Sequence, residues 1–355
     1  MRVGFYSYWG LGDSSDLAIR LAERLLDLGI DISIFPTNRR PKPLHFALDK
    51  FVVRNSESFS SWARTGQFSH LIFGDMPSPE ILKSISQPQD KFSSAPAETY
   101  LLCNWSDLNE TDVRHLHKLT GVIAPAKAVA ALLSKRVKLQ NIRLLPWDAG
   151  VPVASRSDSI SPSVIRLFWP VTVNQKLSAD KDFTALLGRV LKAHPVVKLT
   201  VSCSGHAPSK LAEGFQHLHV VAGDRVKLLK DLTSEKEAVV CGQSDLTLWP
   251  SLIENTGLVG LTSLAMDTPV LAFAHPVIEE VVRDGLNGSL IPCVLNYNWL
   301  GVPRVEPDWT AFESWLTRLI ARPELLTALR LTAHLRMVER RMKWLAGVDE
   351  LFLTE

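Results

Sequence analysis

Apolar positions fall into two successive series, each alternating short apolar runs with stretches of helical spacing. The opening run Arg2–Ser7 predicts a strand, and the glycine loop Gly10–Asp16 a turn that ends in N-cap residues. Leu17, Leu21, Leu25 and Leu28 then predict a helix closed by Gly29. Ile30–Phe35 completes a strand–helix–strand unit, whose parallel strands need the helix as crossover. Further strands are expected over His70–Gly74, Thr99–Cys103, Gly121–Ala124 and Ile142–Leu145, with a helix over Ala126–Leu133 opened by Pro125. The second series predicts strands over Val164–Phe168, Val197–Val201, His219–Val221, Leu246–Trp249 and Pro269–Phe273. Its helices are expected over Phe183–Ala193, Gly257–Met266 and Val277–Arg283, and again after Pro307, where Trp315, Leu316, Leu319, Ile320, Leu325, Leu326 and Leu329 mark apolar faces.

Between the series lies Ser155–Ser163, polar and without periodicity, which reads as an interdomain linker. The expected organisation is an α/β chain of two doubly wound, Rossmann-like domains, residues 1–157 and 158–335, with a final helix over 336–355 returning to the first. A chain of 355 residues is long enough for two such cores. Hydrophobic content of 46% with 21% charged residues excludes a disordered chain, and a formal charge of +2 does not advertise nucleic-acid binding. Cys103, Cys203, Cys241 and Cys293 lie far apart without a CxxC pair, which fits a reducing compartment and small buried side chains. The opening lacks signal-peptide anatomy and no apolar run reaches the roughly 20 residues of a membrane span, so a cytoplasmic protein is expected.

The most informative stretch is Asp245–Val270, DLTLWPSLIENTGLVGLTSLAMDTPV. It reads as strand, tight loop with a carboxylate, glycine, helix, then Thr-Pro into another strand. At the Thr256-Gly257 corner, free backbone N–H groups and the helix dipole suit a diphosphate, and Gly257 lets the backbone approach it. Glu254 stands near the end of a strand, where open α/β sheets bind ligands.

This block resembles the group 1 family of GT-B glycosyltransferases, whose pattern is a strand, Pro-Ser, a Glu-x7-Glu motif spanning a glycine helix start, and Gly-Thr-Pro-Val. The likeness continues through Ile278–Gly288 and reaches the amino-terminal glycine loop and Leu144–Gly150. It implies a GT-B fold, with two Rossmann-like domains facing across a cleft. The implied activity is transfer of a sugar from a nucleoside-diphosphate sugar to an acceptor hydroxyl, with retention of configuration and without a metal. The sugar nucleotide is a co-substrate; no cofactor is implied.

By resemblance, Glu254 contacts the donor sugar, Asn255 lies beside it, and the backbone of Thr256, Gly257 and Leu258 holds the distal phosphate. The second Glu of the motif falls at Thr262, a neutral hydroxyl where the family places a ribose-binding carboxylate, and Asp267 replaces the glycine before Thr-Pro. Lys181 matches the family lysine that neutralises the leaving diphosphate, and Lys176 stands for the arginine. Gly205, with His206 beside it, follows a strand of the donor domain. On the acceptor side, Gly10, Gly12 and Asp13 form a phosphate or acceptor loop, with a structural turn and cap as the simpler account. Trp105 and Asp107 follow a first-domain strand as candidate acceptor contacts. Trp9, Trp105, Trp147 and Trp169 can stack on a sugar or base, although core packing accounts for tryptophan more often.

Two other functions fit the same residues. A GT-B glucosyltransferase acting on a modified base in DNA needs a positive stripe, for which Arg39, Arg40, Lys42 and Lys50 are candidates. A catalytically inactive relative that binds a nucleotide sugar or scaffolds a partner fits the threonine at 262. The run Arg330–Lys343 mixes basic and apolar residues and suits an anionic acceptor or membrane surface, with a solvated helix face as the plainer reading.

Overall fold

The computed structural model describes residues 1–7, 13–37, 48, 51–52, 58–65, 67–86, 97–105, 108–151, 160–171, 181–203 and 209–353. The first series folds as β1 (Arg2–Ser7), α1 (Asp13–Asp27), β2 (Asp31–Pro36), α2 (Phe59–Thr65), β3 (His70–Phe73), α3 (Pro79–Ser86), β4 (Glu98–Leu102), α4 (Glu110–Leu116), β5 (Gly121–Ala124), α5 (Lys127–Leu132) and β6 (Ile142–Leu144). Its strands pair in parallel in the order β2-β1-β3-β4-β5-β6. The inner strands β3, β4 and β5, mostly buried, are near-continuous apolar runs rather than alternating ones, while the edge strand β6 is largely exposed. Helix α1 buries Leu17, Leu21 and Leu25, the positions its spacing marked. It ends where Gly29 takes a left-handed φ of 74° and Ile30 N–H reaches the Leu25 carbonyl. Asn109 caps α4 through a reciprocal pair with Asp112.

The second series gives β7 (Ile165–Val171), α6 (Lys181–Ala193), β8 (Val197–Cys203), α7 (Ser209–Ala222), β9 (Val226–Lys230), α8 (Ser234–Gly242), β10 (Leu246–Trp249), α9 (Leu258–Ala265), β11 (Val270–Phe273), α10 (Pro276–Glu279) and β12 (Gly288–Ile291). A hairpin follows, β13 (Val294–Tyr297) with β14 (Pro303–Glu306), then α11 (Trp309–Ile320), α12 (Pro323–Ala333) and α13 (Leu335–Leu353). The parallel sheet runs β12-β11-β10-β7-β8-β9. The chain lays β8 and β9 outward from β7, then returns to place β10 on its other side. The strand order therefore reverses between β7 and β10, which is where such sheets open a ligand crevice at the carboxyl ends of the strands. Trp169, Phe183, Phe273 and Phe312 pack ring to ring at 4.9–5.4 Å and join β7, α6, β11 and α11.

By contact the chain divides into two compact units, Met1–Trp147 with Trp344–Glu355, and Asp148–Lys343. The division at 147/148 lies upstream of the 157/158 boundary read from the polar stretch, much of which is outside the described residues. The end of α13 belongs to the first unit: Arg24 bridges Asp349 at 2.9 Å, and Phe352 packs against His70 with ring centroids 5.2 Å apart.

Three local expectations change. His219–Val221 is not a strand but the last turn of α7, where Leu218 is buried and Val220 is 86% exposed. A three-residue branched run sets no period by itself, and packing of the whole helix decided it. The helix expected over Val277–Arg283 is the single turn Pro276–Glu279, since Asn287 Oδ1 takes the Arg283 N–H at 2.7 Å and turns the chain toward β12. Arg330 is not part of a solvated face: it is 1% exposed.

Candidate functional site

Strand β10 is Leu246-Thr-Leu-Trp249, buried throughout between β7 and β11. Its carboxyl end delivers a loop that is itself mostly buried. Ser251 Oγ–H donates to the Ile253 carbonyl at 2.8 Å, and the Leu252 carbonyl accepts the Val305 N–H at 2.8 Å, tying the loop to β14. The loop thereby turns Glu254 inward at 5% exposure.

There the carboxylate meets converging donors. Oε1 accepts backbone N–H groups from Asn255, Thr256 and Gly257 at 3.0, 3.4 and 3.3 Å, while Oε2 accepts the Trp249 indole N–H at 3.0 Å. Burial pushes the carboxyl above its usual range, and the three amides and the indole pull the other way. Successive amides aimed at one point form an anion-binding nest at the amino end of α9. A nest that holds a carboxylate oxygen has the geometry to hold a phosphate oxygen or a sugar hydroxyl.

Glycines make the arrangement possible. Gly257 precedes α9 with φ 74°, and a Cβ there would stand 2.7 Å from Val281 Cγ2. Gly260, on the first turn of α9, faces Trp249 so closely that any Cβ would collide with the indole. Asp267 occupies the family's glycine position in that same left-handed conformation, φ 56°, at the end of α9. Its buried carboxylate lies 2.6 Å from His334 Nδ1, so the strain has a compensating contact. Nearby, His275 is fully buried. Its Nδ1 accepts the Val277 N–H at 3.2 Å and caps α10, and its Nε2 lies 3.3 Å from the Pro303 carbonyl on β14. Burial holds its imidazole down at about 4.

Of the site residues marked in the sequence, Glu254, Asn255, Thr256 and Gly257 come together in one buried loop, with Leu258 opening α9. Leu258 N–H goes to Thr256 Oγ1 at 3.3 Å. Thr262 is half-buried on α9, and Lys181 is exposed as the first residue of α6. Asp13 is the first residue of α1. Trp105, Trp147 and Trp169 are at most 1% exposed, so their rings fill cores and offer no stacking face. Gly10, Gly12, Asp107, Lys176, Gly205, His206, Trp9, Arg39, Arg40, Lys42 and Lys50 lie outside the described residues. Cys103, Cys203 and Cys241 are buried thiols. Among the described residues no three His, Cys, Asp or Glu side chains gather as a metal site, and no helix is long and apolar enough to cross a membrane.

Sequence reasoning missed Trp249 as a partner of Glu254 and Gly260 as the residue that makes room for its indole, and it missed the β13–β14 hairpin with its hold on Leu252. The only available signal was positional: Trp249 and Gly260 flank Glu254 at the strand end and helix start.

Comparison with known proteins agrees with this geometry. Residues 180–294 match the model of the family Glycosyl transferases group 1. The chain is 28% identical over 188 residues to alpha-monoglucosyldiacylglycerol synthase of Streptococcus pneumoniae, taking in 49% of this chain and 42% of that protein. It is 33% identical over 139 residues to D-inositol 3-phosphate glycosyltransferase of Mycobacteroides abscessus, taking in 35% of this chain and 31% of the relative. The matched stretch thus spans less than half the length of either curated relative. Among solved structures, Anabaena HepE in complex with UDP and glucose superposes with a TM-score of 0.70 at 13% identity over 99% of this chain and 98% of that one. Sucrose-phosphate synthase from Thermosynechococcus elongatus gives 0.68 at 16% identity over 99% and 97%. Residues 180–294 thus resemble the group 1 glycosyltransferases, and the two parallel six-stranded sheets are the Rossmann-like units of the GT-B fold.

Proposed function

We propose that the protein transfers a sugar from a nucleoside-diphosphate sugar to an acceptor hydroxyl, with retention and without a metal. The observation that carries this reading is Glu254: a buried carboxylate in an amide nest, at the carboxyl end of the strand where the sheet order reverses. In the reaction the bond from the anomeric carbon to the donor phosphate breaks and a bond to the acceptor oxygen forms. The acceptor proton passes to the departing phosphate, which leaves as a nucleoside diphosphate. Glu254 takes hydrogen bonds from the sugar hydroxyls and orients the ring. The dipole at the amino end of α9 and Lys181 stabilise the charge that grows on the leaving group, and the amides of residues 256–258 join them where the phosphate displaces Glu254 Oε1 and Thr256 Oγ1. Uridine donors come first for testing, because HepE is solved with UDP-glucose. The acceptors to try first are those in the relatives' names, diacylglycerol and D-inositol 3-phosphate.

The test is thermal unfolding with UDP, GDP, ADP, dTDP and CMP, followed by transfer from the matching sugar nucleotide. A nucleotide at about 100 times its Kd adds about 2.7 kcal/mol, and Lys181→Ala reduces that gain. Glu254→Gln should keep most of the nucleotide shift yet lower kcat/KM about 100-fold, about 2.7 kcal/mol of transition-state stabilisation. Absence of any nucleotide shift together with absence of transfer sinks the proposal. Thr262, in the place of the family's second carboxylate, favours a second reading in which the chain binds a sugar nucleotide without transferring it. Stabilisation by nucleotide with no turnover on any acceptor would select that reading.

A further inference from the structure

The C-terminal helices carry a row of apolar side chains that the nucleotide site does not use. Helices α12 and α13 join through His334, which keeps helical angles of φ −76° and ψ −18°. Positions 331, 335, 338 and 342, spaced by four, three and four, therefore share one face. Leu331, Leu335, Val338 and Met342 on that face are 53%, 59%, 51% and 62% exposed. The other side of the same stretch is buried through Leu329, Arg330, Ala333 and Met337. Single exposed leucines are ordinary; a contiguous row of four is not.

The borders of the row are basic. At 100° per residue, Glu339 and then Lys343 stand on one side of the row and Arg341 on the other, while the half-buried Arg336 turns toward the packed face. From Leu331 to Lys343 the chain carries four basic residues, Arg336, Arg340, Arg341 and Lys343, against one acidic residue, Glu339, which pairs with Lys343 at 2.5 Å. A second copy of the chain is a poor occupant. Four half-exposed side chains offer on the order of 400 Å², about half of what each partner buries in a standard interface, and two basic borders would repel.

We propose that this face is a peripheral docking surface for an anionic lipid bilayer. Leu331, Leu335, Val338 and Met342 enter the boundary between headgroups and acyl chains, while Arg341 and Lys343 meet lipid phosphates. The proposal goes beyond sugar transfer and does not depend on it, since vesicle binding needs neither nucleotide nor acceptor.

The experiment is co-sedimentation of the full chain with vesicles of phosphatidylcholine alone and of phosphatidylcholine doped with phosphatidylglycerol. Partitioning about tenfold or more in favour of the doped vesicles, weakening with salt, is expected. Leu335→Glu and Met342→Glu should each reduce it about tenfold, and Arg341→Glu with Lys343→Glu should remove the preference for the anionic vesicles. These side chains are exposed, so unchanged thermal unfolding shows that each variant still folds. No binding to either vesicle, or equal binding to both with the charge-reversed variant unaffected, would overturn the proposal. So would a concentration-dependent dimer that Leu335→Glu dissolves while vesicle binding is absent.

Discussion

A carboxylate as buried as Glu254 keeps its place because four N–H groups converge on it. The Trp249 indole lies flat enough to reach Oε2 only because residue 260 has no side chain. Gly260→Ala therefore tests the arrangement without touching the carboxylate. The added methyl meets the indole ring, Trp249 must shift, and overpacking of this kind costs about 1–3 kcal/mol. Thermal unfolding should register that loss. Transfer activity, measured at a temperature where the variant is fully folded, should fall further because the Trp249 N–H has left Glu254. Native transfer rates with a native unfolding temperature would show that the indole does not position the carboxylate.

The hairpin β13–β14 and the one-turn helix α10 meet at His275, whose two ring nitrogens serve both elements. In the folded chain burial holds this imidazole down at about 4, while an ordinary histidine titrates near 6.5. Below about pH 6.5 the unfolded chain binds a proton that the folded chain refuses, so this contribution is fully present above that pH. It is lost as the pH falls toward about 4, by up to about 3 kcal/mol. Denaturant unfolding followed across this window should show the decline. His275→Asn retains an acceptor to cap α10 but has no titrating ring, so its stability should be lower at pH 7 and flatter between pH 6.5 and 4. An equally steep decline in the variant would assign the pH dependence to other groups.

Across the 148–343 unit, one ion pair links residues 85 positions apart: Arg330 of α12 reaches Asp245 at 2.7 Å, both at most 2% exposed. Asp245 Oδ2 also accepts the Arg166 N–H at 2.8 Å, so the pair fastens the C-terminal helices to β7 and β10 at the ends away from Glu254. Arg330→Met takes away the buried cation of Asp245, leaves it the half-exposed Arg166 guanidinium at 3.6 Å, and should cost about 3 kcal/mol, read by urea unfolding. A loss below about 1 kcal/mol would mean that Asp245 finds other support. Much of this molecule was legible in its sequence. Apolar runs and helical spacing placed β1, β5 and β10 residue for residue, because parallel strands buried on both faces must be continuously apolar. The order strand, carboxylate, glycine, helix located Glu254, because a glycine at a helix start and a strand end are local features of the chain. The sequence could not reveal that Trp249 holds Glu254, that Arg330 is buried, or that His219–Val221 is helical. The burial of Arg330 and the packing of His219–Val221 depend on residues from distant parts of the chain, and Trp249 meets Glu254 through a loop that β14 holds at Leu252; local pattern carries no record of either. Periodicity therefore determined many of the elements and local residue order the place of the carboxylate, while tertiary packing decided which groups surround it and which charges leave water.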